Sequence, residues 1–185
     1  ASAMLADLSR EAARSLAGIE HASAAVATLV YPQQPVPTSA SGLLVAEEGR
    51  TLSACTWSSV KWPHAAPPSG DLVLRCFVGR AGRHPALNLS DDELVAQISG
   101  DVDEVLGIGG PPRKSRVTRW ENGLPQYAVG HLDLIASIEA ALSEWPGLAL
   151  AGASYRGTGL PDCIRQGQQA ARRALGATQS RARRV

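Results

Sequence analysis

The sequence predicts a mixed α+β fold, an antiparallel-rich sheet accompanied by helices. Three observations predict it. Between residues 22 and 80, short extended runs rich in small, β-branched and aromatic residues follow one another, separated by turn signals. Apolar residues recur at helical spacing near the N-terminus, after Ser90 and after His131. The chain then closes in the order helix, short apolar run, glycine turn, helix.

Taken in order, Leu5, Leu8, Ala12, Leu16 and Ile19 keep helical spacing and predict one helix, weakened in its last turn by Gly18. "ASAAVATLVYP", Ala22 to Pro32, reads as a strand, and prolines at 32, 35 and 37 make the loop after it. "SGLLVAEE", "TLSACTWSS" and "DLVLRCFVGR" are three more extended runs, bounded by "EEGR" and "KWPHAAPPSGD", as in an antiparallel meander. Ser90, Asp91 and Asp92 form a helix-start signature ahead of Leu94, Val95, Ile98, Val102, Val105 and Leu106. "GIGGPP" at 107–112 stops that helix, because glycines follow it and two prolines come next. "KSRVTRW" predicts a further strand, "HLDLIASIEAALSEW" a helix and "GLALAGAS" a short apolar strand. "ATQSRARRV", beyond Leu175, reads as a frayed basic tail.

Composition excludes several classes of function. The 185 residues are 44% hydrophobic and 19% charged, values of a chain that buries a core. A net charge of +1 supplies no whole-chain argument for nucleic acid. Cys55, Cys76 and Cys163 lie far apart in the sequence with no C-x-x-C pair, so neither a disulfide framework nor a zinc knuckle is supported, and reduced thiols are expected. No apolar run approaches the length of a membrane span, and Asp7, Arg10 and Glu11 make the N-terminus unlike a signal peptide. The expectation is a soluble, cytoplasmic protein with no nucleic acid partner. The "NLS" at Asn88 to Ser90 is then a chance sequon.

The stretch that carries chemistry is "GLALAGASYRGTGLPDCIRQGQQAARR". An extended run delivers Gly152, Gly157 and Gly159 to a turn, and Pro161 sits where a first helical turn tolerates a residue without an amide hydrogen. The helix points its unpaired amides back at the turn, carrying roughly half a positive charge worth about 0.3–2 kcal/mol to a nearby anion. The plain alternative is a tight connector in which Gly157 and Gly159 supply only positive φ angles and Asp162 favours the first turn.

"GASYRGTGLPDCIRQGQQAA" resembles the C-terminal flavin motif of the protoporphyrinogen and coproporphyrinogen oxidases, members of the flavin amine oxidase superfamily. "TRWENGLPQYAVGH" and "ACTWSSVKWPHAAPPSGDLVLRCFVGRAG" are similar to upstream blocks of the same family, especially its Gram-positive bacterial branch, so the resemblance runs from about Leu5 to Leu175. It implies FAD held by a two-part fold and a porphyrinogen substrate between a flavin domain and a mixed-sheet domain. The implied reaction oxidises coproporphyrinogen III or protoporphyrinogen IX to the porphyrin with oxygen, releasing hydrogen peroxide in haem biosynthesis. By position, Trp120, Gly157, Thr158, Gly159 and Leu160 would contact the flavin, with the helix from Pro161 aimed at its pyrimidine edge and favouring the reduced, anionic form.

The family's strand, G-x-G-x-x-G turn and helix for the pyrophosphate has no counterpart in these residues. The resemblance therefore implies the C-terminal part of such an enzyme, partnered by an N-terminal FAD-binding portion. Residues 1–145 would belong to the substrate-binding domain and its connections, 146–176 to the C-terminal strand, glycine turn and helix of a Rossmann-like FAD domain, and 177–185 to a basic tail. Peripheral membrane association is compatible with this. A non-catalytic remnant or half of a split enzyme is one alternative, a flavin amine oxidase another, although "KWPH" and "PQYxxGH" are not amine-oxidase blocks.

No catalytic side chain and no metal ligand set emerges. Tyr127 and His131 in "PQYAVGH" invite a proton-transfer role, and their plain reading, with Pro125, is to shape the loop before a helix. Lys61 and His64 in "KWPH" read plainly as a solvated loop. The carboxylates of a tetrapyrrole call for cations; Arg75, Arg80 and Lys61 are candidates that the sequence does not separate.

Overall fold

The computed structural model describes residues 1–37, 39–47, 49–82 and 84–182, without the side chains of residues 65 and 177–182. The chain forms two compact units, one of residues 22–123 and one of residues 1–21 with 124–185.

The first unit is built on a five-stranded sheet. Its strands are β1 (His21–Tyr31), β2 (Gly42–Leu44), β3 (Ala54–Trp57), β4 (Leu72–Val78) and β5 (Lys114–Pro125), in the order β2-β3-β4-β1-β5, with β4 central. Pairing between β2 and β3, β3 and β4, and β4 and β1 is antiparallel. The expected meander and mixed fold are therefore present, with the last strand running on past Trp120 to Pro125. Alternation along each strand sorts side chains onto two faces. Ala25, Ala27, Leu29 and Tyr31 of β1, with Leu72, Leu74, Cys76 and Val78 of β4, form the inner face. Against it lies α4 (Asp91–Leu106), which buries Leu94, Ile98 and Val102 along one stripe. The ends of α4 are as the sequence predicts. Ser90 and Glu93 complete a capping box, and Gly107 closes the helix in the left-handed region at φ 67°. Ser90 of the sequon is thus occupied as a helix cap. Cys55 and Cys76, distant in sequence, face each other across β3 and β4 with their Sγ atoms 3.7 Å apart. Both are free thiols, and Cys55 beside it together with burial pushes Cys76 well up.

In the second unit the helix expected from Leu5 to Ile19 is two helices, α1 (Ser2–Leu5) and α2 (Arg10–Ala17). The apolar spacing is continuous, but the Ser9 hydroxyl accepts the Ala12 amide and starts a new helix. Leu5, Ala12, Ala13, Leu16 and Ile19 pack with Ile135, Ile138 and Leu142 of α5 (His131–Ala141) and its following turn, and with Tyr155. "GLALAGAS" corrects a second expectation. Residues 148–151 form no strand, because no other strand among the described residues offers their backbone a ladder partner. The helix after the glycine turn, α6 (Leu160–Ala182), is the longest. It continues through much of the stretch expected as a basic tail, whose alanines and arginines are good helix formers. Residues 183–185 of that tail lie outside the described residues.

Candidate functional site

The glycine turn lies in the unit of residues 1–21 and 124–182, and there Gly157 is held from both sides. Its amide donates to the Tyr127 hydroxyl at 2.9 Å, and that hydroxyl donates to the Ala153 carbonyl at 2.7 Å. Its carbonyl accepts from the Gln166 amide nitrogen at 3.3 Å, while the Gln166 side-chain oxygen accepts the Arg156 amide at 3.3 Å. Gln166 is buried, on a helix whose other described side chains are exposed or half-buried. A polar side chain taken out of water and satisfied on both atoms fixes the backbone it bonds. Tyr127 is itself held, its ring stacked on His131 at 3.7 Å and 13°. The His131 Nε2 lies 3.0 Å from the Tyr155 carbonyl. A carbonyl only accepts, so this nitrogen carries the proton and the imidazole is oriented. A cleft of about 530 Å³ opens beside this pair, lined by Gly18, Glu20, Gln126, Val129 and Leu134 among others.

The glycines differ in role. Gly152 and Gly157 have φ of 138° and 124°, a region L side chains rarely adopt, and an added Cβ at Gly157 would sit 2.8 Å from Asp162. Gly159 does not have positive φ, which corrects its expected role; its carbonyl accepts the Cys163 amide at 2.9 Å as the first bond of α6. Thr158, Gly159 and Leu160 follow the clamped residue and are exposed. Pro161 has no amide, and the Leu160 and Asp162 amides donate to no backbone acceptor among the described residues. Asp162 pairs with Arg165. A fixed turn therefore presents a helix N-terminus with free donors, a geometry suited to a polarised or anionic ring edge. Arg156 turns outward to Glu139 at 2.7 Å, which raises its pKa further.

The other expected contacts lie in the sheet unit. Trp120 is 45% exposed on β5. Its neighbour Arg119 bonds Asp91 and the Leu89 carbonyl at the start of α4, so alternation puts Trp120 on the face opposite α4. The same outer face carries two cross-strand rows, Gly42, Thr56, Arg75 and Thr28 in one and Leu44, Ala54, Phe77 and Val26 in the next. Beside them a cleft of about 460 Å³ is bordered by Thr56, Phe77 and Lys61. Arg80 is engaged elsewhere, donating to the Val45 and Glu47 carbonyls at 2.9 and 3.2 Å. Burial, and after it the positive charge of Arg80, hold His84 below the usual histidine range. His64 sits in the short 3₁₀ turn Pro63–Ala65 and is exposed. No cluster of metal-ligating side chains occurs among the described residues, and no described helix is long and apolar enough to cross a membrane. Sequence reasoning treated Tyr127 as loop-shaping and did not name Gln166. The link from Tyr127 to Gly157 spans 30 positions, and no local pattern announces such a bond.

Comparison with known proteins agrees with this architecture. The chain is 38% identical over 179 residues to a coproporphyrinogen III oxidase of Bacillus subtilis (strain 168), covering 95% of this chain and 37% of that protein. To a coproporphyrinogen III oxidase of Mycobacterium tuberculosis (strain ATCC 25618 / H37Rv) it is 40% identical over 148 residues, covering 79% and 31%. It thus spans about a third of the length of the curated relatives it matches. A crystal structure from Exiguobacterium sp. 255-15, described as a protoporphyrinogen oxidase, superposes with a TM-score of 0.77 at 33% identity over 91% of this chain and 38% of that one. Reduced UDP-galactopyranose mutase, at 18% identity and a TM-score of 0.59 over 71% of this chain and 28% of the other, shares the fold. Residues 2–175 match the description of flavin-containing amine oxidoreductases, and the chain belongs to that family.

Proposed function

We propose that the chain is the C-terminal part of an oxygen-dependent, FAD-containing porphyrinogen oxidase of haem biosynthesis. In this reading it acts with an N-terminal portion that supplies the pyrophosphate and ribose contacts. The observation that carries it is the doubly clamped Gly157 ahead of a free helix N-terminus, in a chain whose similarity to coproporphyrinogen III oxidases extends over 95% of its length.

The residues present fit the isoalloxazine edge of a flavin. Gly157 leaves no room for a side chain. Thr158, Gly159 and Leu160 would lie against the ring, and the first-turn amides of α6 would face its pyrimidine edge. When bound, the flavin supplies the two-electron oxidation of the porphyrinogen and passes the electrons to oxygen. The protein holds the macrocycle, excludes water, and favours negative charge on the reduced ring through the helix dipole. Tyr127 and His131 are orienting groups in this account, since each already spends a hydrogen bond on a carbonyl of the turn segment. The sheet unit is the substrate side, and the unit holding α6 contributes the C-terminal edge of the flavin side. FAD as the particular flavin and the cytoplasm as its place belong to the same proposal.

The test is to exchange this chain for the corresponding third of the B. subtilis relative and follow porphyrin fluorescence from coproporphyrinogen III under air. Porphyrin formation with retained flavin supports the reading. A flavin-loaded chimera that oxidises primary amines and leaves porphyrinogen untouched would establish the amine oxidase alternative. The chain alone should leave a gel-filtration column colourless, and stoichiometric yellow flavin on it would contradict the division of the site.

A further inference from the structure

We propose that Arg75, with Lys61 at the rim of the adjoining cleft, binds a carboxylate of a flat, apolar acid laid on the outer face of the sheet. The identity of that acid as a tetrapyrrole rests on the function proposed above. The assignment of the residue rests on the sheet itself.

Arg75 sits on β4, the central strand, in the row between Thr56 and Thr28. No other Arg, Lys, Asp or Glu occurs in β1 to β4. An antiparallel face that merely meets water alternates polar and charged residues outward. Here the outward positions of the next row are Leu44, Ala54, Phe77 and Val26. On these four strands a single guanidinium therefore stands among largely apolar outward positions, flanked by two hydroxyls, while alternation from Trp120 puts Arg116 on the same face at the edge strand β5. Its Cζ lies 5.9 Å from the Phe77 ring centre, a cation–π contact that keeps the fork above the sheet.

Among the described residues the cation has no carboxylate counter-ion. Arg50 pairs with Glu47 and Glu104, Arg113 with Asp71 and Arg119 with Asp91, whereas Arg75 and Lys61 pair with no carboxylate among the described residues. Arg80 is spent on two carbonyls. Lys61 rests its ammonium 4.7 Å from the Trp62 ring and borders the 460 Å³ cleft that Thr56 and Phe77 also line. An apolar platform with an unpaired planar fork in its centre suits a ligand with a flat hydrophobic body and a pendant carboxylate, which the fork can take bidentately. This separates the three cations that sequence left equal: Arg75 binds, Lys61 assists at the rim, Arg80 is structural.

The test uses the 185-residue chain, with coproporphyrin III and its tetramethyl ester as probes, and follows quenching of tryptophan emission. The wild-type chain should bind the acid more tightly than the ester. Arg75→Leu, at an exposed position that leaves the core intact, should weaken acid binding about tenfold and leave ester binding unchanged, with Arg75→Lys in between. Equal affinity of wild type and Arg75→Leu for the acid overturns the assignment, as does a wild-type chain that binds neither probe or does not discriminate between them. The functional reading is judged separately, on the chimera. A chimera that forms porphyrin with an unchanged KM after Arg75→Leu refutes the role of Arg75 alone, and a flavin-loaded chimera that forms none refutes the function.

Discussion

The sheet unit and the glycine-turn unit solve the burial problem differently. In the first, α4 sets Leu94, Ile98 and Val102 against one face of the sheet, and large side chains such as Trp57, Leu29 and Leu74 are almost wholly removed from water. In the second, Val129, Leu132, Leu160 and Ile164 stand in solvent, and among the described side chains of α6 the buried one is the polar Gln166. A unit with a complete core is stable by hydrophobic burial. The second unit also has an apolar core, with Leu5, Ala12, Leu16, Ile135 and Ile138 in it, but it holds its glycine turn by polar bonds from Tyr127 and Gln166. The difference teaches that apolar packing fixes α4 against the sheet, whereas hydrogen bonds from single polar side chains fix the glycine turn ahead of α6.

The comparison breaks most sharply under truncation of one isoleucine from α4 and one from α6. Ile98→Ala removes a fully buried side chain beneath the sheet and should cost about 2–5 kcal/mol of stability. Ile164→Ala, on α6 and 62% exposed, should stay within about 0.5 kcal/mol. Urea unfolding followed by circular dichroism measures both, and similar losses would contradict the packing of α4 against the sheet and the exposure of α6.

A smaller effect should separate two glycines of one turn. Gly157→Ala forces a Cβ into a positive-φ residue and to within 2.8 Å of Asp162, at a cost of about 1–3 kcal/mol. Gly159→Ala, without positive φ and with its nearest contact at 3.2 Å, should cost less than about 1 kcal/mol. Hydrogen exchange of the first turns of α6 reports the order, and a larger loss at Gly159 would reverse it. Tyr127→Phe keeps the stack on His131 and removes the hydroxyl, costing about 1 kcal/mol. Exchange of the Gly157 amide should quicken severalfold while the sheet is unaffected.

The mildest expected change belongs to α4. Hydrogen bonds from the Ser90 hydroxyl and amide hold the Glu93 carboxyl below its usual range. A depressed folded-state value stabilises above the unfolded value and is lost as pH falls through the folded one. Glu93→Gln should therefore shallow the acid-side decline in stability of the sheet unit, a change visible in acid titration of its circular dichroism.

What could be read from sequence follows the range of the interactions. The ends of α4 were legible because Ser90 and Gly107 act within one turn of the helix, and the strands were legible because alternation is local. Residues 148–151 were misread because a strand is a property of two segments, and an apolar run has no ladder until another strand meets it. The break at Ser9 was missed because apolar spacing carries across it while the cap does not. At the site, the glycines and Pro161 pointed to the turn. The clamp on Gly157, drawn from Tyr127 and Gln166, depends on tertiary distances that only the fold brings together.

The most direct measurement is flavin content per protein after gel filtration of the chimera in which this chain replaces the corresponding third of the B. subtilis relative. It is read from the visible spectrum for wild type and for Gly157→Val. The account predicts near-stoichiometric flavin in the wild-type chimera and loss of most of it in the variant, because a β-branched side chain both opposes the φ of 124° and fills the space at Asp162. Equal flavin in the two proteins, or a folded wild-type chimera that holds none, would contradict the claim that this turn is an edge of a flavin site.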